Sequence, residues 1–185
     1  MKQLLDARAI DRGVQSLADE ISSLYAGRSL TIIGVLTGSV VLLADLIRRI
    51  DLPLRVGVIQ TRSYRGGATR PGELEIDDSM LLDIEDRDVL IIDDIFDTGH
   101  TLAGLLNTMR ALSPRTIRSA VLLLKEGRQE VAIRPDHVVF EIPDAFVVGY
   151  GLDYQDAFRN LPYLAVLEAA DLAQDSETPH AEQRA

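Results

Sequence analysis

The chain has 185 residues, of which 46% are hydrophobic, and its 29 acidic against 19 basic side chains give a formal charge of -10 at pH 7. This length fits one compact domain, and the apolar runs are too short to cross a membrane. The acidic charge disfavours nucleic-acid binding, and the absence of cysteine excludes disulfides and thiolate metal sites. We expect a soluble protein without a zinc site that binds neither nucleic acid nor membrane.

The first part of the chain predicts a helix, a strand and a second helix. The N-terminus lacks the apolar segment of a secretory signal, so we expect a cytoplasmic protein. Residues 6–25 carry apolar side chains at helical spacing, which predicts a helix that Asp6 caps and Gly27 ends. A continuous apolar run at 30–36 predicts a strand covered on both faces, and residues 40–50 predict another helix.

A long irregular segment follows the next strand. The strand is predicted over residues 54–61, and residues 63–76 after it are rich in glycine, proline and arginine. Long segments of this kind in compact domains are commonly lids or binding loops, so we interpret this one as a flexible active-site loop. Residues 80–84 form a candidate short strand.

The rest of the chain alternates strands with helices. Residues 89–93 and 117–124 predict buried strands on either side of a helix at 101–112. Shorter strands are predicted at 138–142, 146–148 and 164–167. This alternation predicts an α/β fold with a mostly parallel central sheet and helices on both faces. We interpret residues 1–170 as a single domain and the polar residues 171–185 as a disordered tail.

Polar side chains follow the strand at 89–93. This strand delivers the carboxylates of Asp93 and Asp94 to the carboxyl edge of the predicted sheet, where parallel α/β proteins bind ligands. The next residues, 97–101, supply two threonine hydroxyls, a glycine and a helix N-terminus, which suit a phosphate group. A second turn that suits an anion lies at 37–39. We therefore expect a phosphorylated ribose at this edge.

These residues resemble a known family. The sequence VLIIDDIFDTGHTL at 89–102 resembles the phosphoribosyl-pyrophosphate signature of type I phosphoribosyltransferases. VLTGS at 35–39 is similar to the family's pyrophosphate loop, and Ser63 with Tyr64 to the start of its flexible loop. Three later segments are similar to hypoxanthine-guanine phosphoribosyltransferases in particular, namely residues 122–125, 140–154 and 159–162. The resemblance covers residues 30–167.

The resemblance implies both a fold and a reaction. The fold is that of a type I phosphoribosyltransferase, with a small hood subdomain and a flexible loop beside the central sheet. The reaction is purine salvage, in which ribose 5-phosphate passes from phosphoribosyl pyrophosphate to N9 of hypoxanthine or guanine, giving IMP or GMP and pyrophosphate. The implied cofactor is Mg²⁺, and the implied assembly is a homodimer or homotetramer.

The resemblance also implies a role for individual residues. Asp97 would be the general acid/base at purine N7, and Lys125 would donate to the 6-oxo group. The implied ribose and phosphate ligands are Asp93, Asp94, Asp97, Thr98, Gly99 and Thr101. The implied pyrophosphate ligands are Thr37, Gly38, Ser39 and Arg159. The implied purine ligands are Lys125, Phe146, Val147 and Asp153, and the implied metal ligands are Asp93, Asp94 and Asp153.

Two positions depart from the family's commonest pattern. Thr37 lies where many relatives have a lysine, which removes one cation from the pyrophosphate side. His100 lies at a variable position and leaves the phosphate turn more dependent on backbone amides. Because neither change affects the acids or Lys125, we expect altered affinity and retained chemistry.

Simpler interpretations of the same residues stay open at this point. Lys125 could be a surface cation, Phe146 a core residue and Asp153 a turn residue. Arg159 could pair with one of the chain's many acids. His137 is interpreted as a surface histidine without a role.

Alternative functions also stay open. A xanthine-preferring enzyme would differ in how the 2-position of the base is contacted, which one sequence does not decide. A regulator could keep the fold, bind phosphoribosyl pyrophosphate or a nucleotide as a signal, and control RNA or DNA. Such a regulator would have a basic surface and no catalytic acid, whereas this chain is acidic and keeps Asp97.

Overall fold

The computed structural model of the protein describes residues 1–63, 74–77, 79–168 and 171. Within these residues the chain forms nine strands and three helices. In chain order they are β1 (Lys2–Leu5), α1 (Ala7–Leu24), β2 (Leu30–Leu36), α2 (Val40–Ile47), β3 (Leu54–Ser63), β4 (Leu74–Asp77), β5 (Asp88–Phe96), α3 (His100–Arg110), β6 (Thr116–Lys125), β7 (His137–Ile142), β8 (Val147–Val148) and β9 (Leu164–Val166).

Six strands form the central sheet, in the order β4-β3-β2-β5-β6-β7. All neighbours are parallel except β3 and β4, which run antiparallel. The inner strands β2 and β5 are mostly apolar over residues 30–36 and 89–92, because both of their faces are covered there. The predicted mostly parallel sheet is confirmed.

Helices cover both faces of this sheet. Side chains alternate along each strand, so Ile32 and Ile92 face one side while Ile33 and Ile91 face the other. The first pair packs in the core formed by α1 and α2, and the second pair packs in the core under α3. The prediction of helices on both faces is therefore confirmed. Because β2, β5 and β6 are parallel neighbours, their carboxyl ends lie at one edge of the sheet.

The first helix begins as the sequence predicts. Asp6 precedes α1 in an extended conformation, and its carboxylate accepts a 2.6 Å hydrogen bond from the backbone N–H of Ala9. This bond satisfies one of the N–H groups that have no partner within the helix. None of the helices in the described part of the chain is long and apolar enough to span a membrane.

A second, smaller sheet consists of β1, β9 and β8, in that order and antiparallel. This sheet is the counterpart of the expected hood subdomain. Strand β1 is not among the predicted elements, because its partner β9 lies about 160 residues further along the chain. The N-terminal ammonium of Met1 reinforces the sheet by pairing with the carboxylate of Asp171 at 2.8 Å.

Several predicted boundaries differ from the structure. Residues 80–84 are not a strand; the strand of this region is β4, which pairs with the end of β3. The ends of the predicted loop, Ser63 and 74–76, therefore belong to strands. Residues 64–73, with Tyr64, lie outside the described residues, so the flexible loop stays a prediction. Of the predicted tail, only Asp171 is described.

The prediction that His137 is a surface residue is wrong. Its side chain is 5% exposed at the start of β7, and Nδ1 lies 3.0 Å from a carboxylate oxygen of Glu20 on α1. The histidine therefore connects α1 to the sheet, in agreement with the packing of this helix against β7.

Candidate active site

The carboxyl ends of β2, β5 and β6 form one continuous edge of the sheet. Strand β2 leads into the turn at 37–39. Strand β5 carries Asp93 and Asp94 near its carboxyl end, and β6 ends at Lys125. The parallel register places Phe96 beside Leu124, so Asp97 and Lys125 follow side by side. Residues distant in sequence are brought together here because parallel strands share one carboxyl edge.

Asp93 and Asp94 form a carboxylate pair at this edge, in which Asp93 is buried and Asp94 is half-buried. Asp93 is 8% exposed, and its Oδ1 accepts a 2.9 Å hydrogen bond from the backbone N–H of Asp94. Burial and then the negative charge of Asp94 raise the pKa of Asp93 well above its ordinary value. Burial also raises the pKa of Asp94, against the lowering effect of Asp93 and of the Arg159 charge. The pair favours a cation or hydroxyl donors as its ligand.

The turn at 37–39 packs directly against this pair. A Cβ at Gly38 would lie 1.7 Å from Oδ2 of Asp94, so only glycine fits. The peptide bond between Leu36 and Thr37 is cis. The segment that carries Gly151 packs against the same turn, because a Cβ at Gly151 would lie 2.1 Å from the carbonyl oxygen of Gly38.

A helix N-terminus lies beside the carboxylates. Gly99 has a φ of 90° and directly precedes α3, and Thr98 and Thr101 are half-buried around it. The first N–H groups of a helix have no partner within it, and they carry the positive end of its dipole. The segment after β6 supports this turn, since Glu130 N–H donates to the Thr98 carbonyl at 3.0 Å and a Cβ at Gly99 would meet Val131 at 2.4 Å.

A cluster of two acids and two cations lies at the ends of β5 and β6. Asp97 accepts hydrogen bonds from Lys125 Nζ at 3.2 Å and from Arg128 Nε at 2.9 Å. Asp144 lies 3.7 Å from Lys125 and 3.8 Å from Arg128. Burial acts to raise the pKa of Asp97, but the hydrogen bonds from Arg128 and Lys125 outweigh it and lower the pKa. Asp97 is therefore a carboxylate at neutral pH.

An exposed aromatic residue follows Asp144 of this cluster by two positions. Phe146 is 47% exposed, and its ring meets that of Tyr154 edge-on, with centroids 5.6 Å apart and planes at 88°. Val147, next to it, is buried in β8 and pairs with Val166. The exposed apolar face of this ring suits a planar heterocycle.

Arg159 is held in the segment between β8 and β9. One guanidinium nitrogen donates to the Gly151 carbonyl at 2.8 Å, and another pairs with Asp153 at 2.8 Å and with Asp156 at 3.7 Å. The second oxygen of Asp153 accepts from the backbone N–H of Asp156 at 2.9 Å. Both oxygens of Asp153 therefore have partners within this segment.

Comparison with known proteins agrees with this geometry. Residues 1–155 match the phosphoribosyl transferase domain family. A hypoxanthine-guanine phosphoribosyltransferase of Bacillus subtilis is 40% identical over 169 residues, which cover 91% of this chain and 94% of the relative. The chain belongs to the hypoxanthine-guanine phosphoribosyltransferase family. One of that name from Staphylococcus epidermidis is 38% identical over 172 residues, covering 91% of this chain and 96% of the relative.

Solved hypoxanthine-guanine phosphoribosyltransferase folds superpose closely on this one. A structure of the Bacillus anthracis protein with a HEPES molecule in its active site has a TM-score of 0.86 and 32% identity, and covers 91% of this chain and 99% of that one. The Trypanosoma cruzi hypoxanthine phosphoribosyltransferase in complex with the product IMP has a TM-score of 0.84 and 35% identity, over 91% and 95% of the two chains. The expected type I phosphoribosyltransferase fold is confirmed.

Not every residue that the family resemblance implied for the site is shown to lie there with the others. The Ser39 hydroxyl is fully buried and donates to the Val35 carbonyl at 2.6 Å, so it holds the turn and does not face the site. Ser63 lies in β3, and Tyr64 is outside the described residues. In the part of the chain that the structure describes, no cluster of three or more acids or histidines could hold a metal ion. The expectation that Asp153 helps to hold a second Mg²⁺ stays a prediction.

The structure also adds residues to the site that the sequence did not indicate. Arg128 and Asp144 lie in irregular segments, where no periodicity marks them. Tyr150 donates its hydroxyl to Asp45 of α2 at 2.7 Å, and burial followed by this hydrogen bond raises the pKa of Tyr150. This bond ties α2 to the segment that carries Gly151.

Proposed function

We propose that this protein transfers ribose 5-phosphate from phosphoribosyl pyrophosphate to N9 of hypoxanthine or guanine, giving IMP or GMP and pyrophosphate. The observation that carries the proposal is the contact between the Lys125 ammonium and the Asp97 carboxylate, which are 3.2 Å apart at the edge of the sheet where the phosphate turn begins. A donor and a proton acceptor side by side match the 6-oxo group and N7 of a 6-oxopurine.

The sugar and its phosphate would occupy the end of β5. Asp93 and Asp94 would accept hydrogen bonds from the ribose hydroxyls, because a carboxylate pair that is partly buried needs donors. Thr98, Gly99 and Thr101 would bind the 5-phosphate through hydroxyls and the N–H groups at the start of α3. Carboxylates near the ring also stabilise the positive charge that develops on the ribose as the bond from C1 breaks.

The leaving pyrophosphate would lie between two segments that meet at Gly38. The backbone of Thr37 and Gly38 forms one side, and Arg159 supplies a cation on the other. The negative charge that builds on the leaving group is stabilised by this cation. Since the Ser39 hydroxyl donates to Val35, we propose only a supporting role for Ser39.

The purine would lie on the Phe146 ring, with the Val147 backbone at its edge. Lys125 would donate to the 6-oxo group, and this contact would select oxo over amino purines, because the amino group of adenine would present a donor to a donor. The Lys125 side chain is 12% exposed, so an unsatisfied ammonium there would be costly.

Proton transfer would involve Asp97. In the forward reaction the ionised Asp97 accepts the proton from N7, the N7–H bond electrons stay with the ring, and N9 becomes the nucleophile. N9 then forms a bond to C1 of the ribose as the bond from C1 to pyrophosphate breaks. In the reverse reaction Asp97 returns the proton to N7 and acts as the acid.

Mg²⁺ fits the donor set at the end of β5. The ion prefers oxygen ligands and commonly takes one or two carboxylates, with phosphate oxygens and water completing its shell. Asp93 and Asp94 supply the carboxylates, and a cation would offset the burial and repulsion that raise the pKa of Asp93. When bound, Mg²⁺ would neutralise charge on the pyrophosphate. Asp153, which pairs with Arg159, would help to hold a second Mg²⁺.

Other expectations from the sequence stay proposals beside this one. They are a single domain over residues 1–170 with a tail at 171–185, a homodimer or homotetramer, and a cytoplasmic location.

A steady-state assay tests the proposed function. Purified protein is given phosphoribosyl pyrophosphate, MgCl₂ and one base at a time from hypoxanthine, guanine, xanthine and adenine, and the nucleotide product is quantified. We expect turnover with hypoxanthine or guanine and little with adenine. If no nucleotide forms from any 6-oxopurine, the proposed transferase activity is refuted. If xanthine is the preferred base, xanthine replaces hypoxanthine and guanine in the proposal.

A further inference from the structure

Arg128 contacts the proposed general base directly, yet it has no place in the functions assigned above. Its Nε donates to Oδ1 of Asp97 at 2.9 Å, while Lys125 donates to Oδ2 at 3.2 Å. Each oxygen of the carboxylate is therefore held by a different cation. Arg128 follows β6 in an irregular segment, and its side chain is 44% exposed.

We propose that Arg128 is a positioning residue for Asp97 in the transfer reaction proposed above, holding the carboxylate in the plane where it meets purine N7. The proposal rests on that function. Lys125 is assigned to the 6-oxo group of the base, so it has to divide its donors between Asp97 and the substrate. Arg128 has no such second task and keeps its hydrogen bond to Asp97 when the base is bound.

Asp144 explains why an arginine fits this position better than a lysine. Arg128 presents Nε to Asp97 at 2.9 Å and Nη1 to Asp144 at 3.8 Å, in two directions at once. A planar guanidinium holds two acids in fixed directions, whereas a single ammonium does not. Asp144 also lies 3.7 Å from Lys125, so the four side chains alternate in charge.

The same contacts affect the protonation of Asp97. The charged groups that face it are Lys125 from the end of β6 and Arg128 from the segment after β6, with Asp144 behind both. Burial alone would raise the pKa of Asp97, and the hydrogen bond from Arg128 is the largest single influence that lowers it. Arg128 thus helps Asp97 to stay ionised, and able to accept the N7 proton, as the pH falls.

The experiment compares Arg128→Met and Arg128→Lys with the wild-type enzyme and with the control Arg134→Met. Arg134 is an exposed arginine nearby in sequence that pairs with Glu141 and has no contact with Asp97. kcat and KM for hypoxanthine and for phosphoribosyl pyrophosphate are measured from mildly alkaline pH down to the most acidic pH at which the enzyme stays folded. We expect Arg128→Met to lower kcat/KM for hypoxanthine by roughly 10- to 100-fold, as misplaced catalytic groups do, with KM for phosphoribosyl pyrophosphate unchanged.

The pH profile separates positioning from a merely structural role. In Arg128→Met the acid limb of kcat/KM for hypoxanthine should move to higher pH. In Arg128→Lys this limb should lie between the positions seen in Arg128→Met and in wild type. An acid limb at the wild-type position, or a loss of kcat/KM that comes entirely from a raised KM for phosphoribosyl pyrophosphate, would overturn the inference.

A titration distinguishes this inference from the proposed function. The ¹³C resonance of the Asp97 carboxyl group, assigned with Asp97→Asn, is followed against pH in wild type and in Arg128→Met without substrate. The apparent pKa of Asp97 should rise in the variant, and an unchanged value would refute the role of Arg128 even if the enzyme is active. A wild-type protein without transferase activity would instead refute the proposed function, on which the inference depends.

Discussion

Gly38 and Asp94 are in contact so close that no side chain fits between them: a Cβ at position 38 would lie 1.7 Å from Oδ2 of Asp94. The proposed pyrophosphate turn and the proposed ribose carboxylates therefore cannot move independently. A change in one of them displaces the other.

The first prediction follows from this contact. Gly38→Ala should displace the Asp94 carboxylate or the turn, and lower kcat/KM for phosphoribosyl pyrophosphate by about 100-fold, as a displacement near 1 Å does in other sites. Gly57→Ala is the control, because its Cβ would meet only apolar side-chain atoms of Ile33 and Leu82, at 3.0 and 3.1 Å. Steady-state kinetics and circular dichroism check both variants. Wild-type kinetics in Gly38→Ala would contradict the prediction.

Asp97→Asn should lower kcat by about 10²- to 10⁴-fold, the contribution of a positioned general acid or base. The amide keeps the shape of the side chain but accepts no proton, so the fold should persist. Asp19→Asn is the matched control, since Asp19 is an exposed acid of α1 that contacts Gln15. Single-turnover rates with hypoxanthine measure the effect. An Asp97→Asn enzyme with wild-type kcat would remove Asp97 from the proton transfer.

Lys125→Ala should relax the choice of base. The ratio of kcat/KM for hypoxanthine to that for adenine should fall by about 10- to 100-fold, the value of one hydrogen bond to a charged group. Lys2→Ala, in β1, is the control that removes the same charge elsewhere. Both ratios come from the four-base assay, and an unchanged discrimination against adenine in Lys125→Ala would argue against the assigned contact.

Asp93→Asn should raise the melting temperature at neutral pH while lowering kcat/KM for phosphoribosyl pyrophosphate. Burial and the Asp94 charge raise the pKa of Asp93, so its ionised form costs stability above the ordinary carboxyl pKa, and this cost is relieved as the pH falls. Asparagine keeps an oxygen for the Asp94 N–H and removes the charge. Thermal melts across pH test this, and a lower melting temperature in Asp93→Asn at neutral pH would count against it.

MgCl₂ extends the same experiment. A ligand that binds only the folded state stabilises it in proportion to its affinity. If Asp93 and Asp94 hold Mg²⁺, the salt should raise the melting temperature of wild type more than that of Asp93→Asn. NaCl at equal ionic strength is the control.

Asp88, at the opposite end of β5, should behave in the opposite way. Burial acts to raise its pKa, but hydrogen bonds from Arg115 and Thr116 and the charge of Arg28 outweigh it and lower the pKa. A lowered folded-state pKa gives stability above the unfolded pKa that is lost as the pH falls through the folded value. Asp88→Asn should therefore destabilise the protein by roughly 1–3 kcal/mol at neutral pH. Urea melts should show the difference from wild type shrinking in acid; a constant difference would disprove the linkage.

Local sequence patterns were sufficient for most of the central sheet. Strands β2 and β5 are mostly apolar over residues 30–36 and 89–92 because two layers of helices cover them there, and Asp6 caps α1 through a contact three residues away. Strands β1 and β4 lacked such a signal. Each is four residues long. Strand β1 pairs with β9 and β4 pairs with β3, and these partners lie outside the short segment whose pattern would have to reveal the strand.

The site follows the same division. Asp93 and Asp94 were predictable from the pattern because they lie at the end of a buried strand, where parallel α/β proteins bind ligands. Asp97 and Lys125 were indicated as site residues by the family resemblance. Arg128 and Asp144 were not, since their places are determined by irregular segments that fold back onto Asp97. The orientation of the Ser39 hydroxyl toward Val35 is likewise a matter of three-dimensional packing.

The enclosure of Lys125 makes it a chemical reporter. The chain contains two lysines, Lys2 in the small sheet and Lys125 at the end of β6. An amine-acylating reagent should modify the exposed Lys2 readily, while the Lys125 ammonium, 12% exposed and held between Asp97 and Asp144, reacts slowly. Mass spectrometry of the tryptic peptides around residue 125 would then measure the extent of Lys125 acylation. This extent follows occupancy of the base site directly, with no turnover and no labelled substrate.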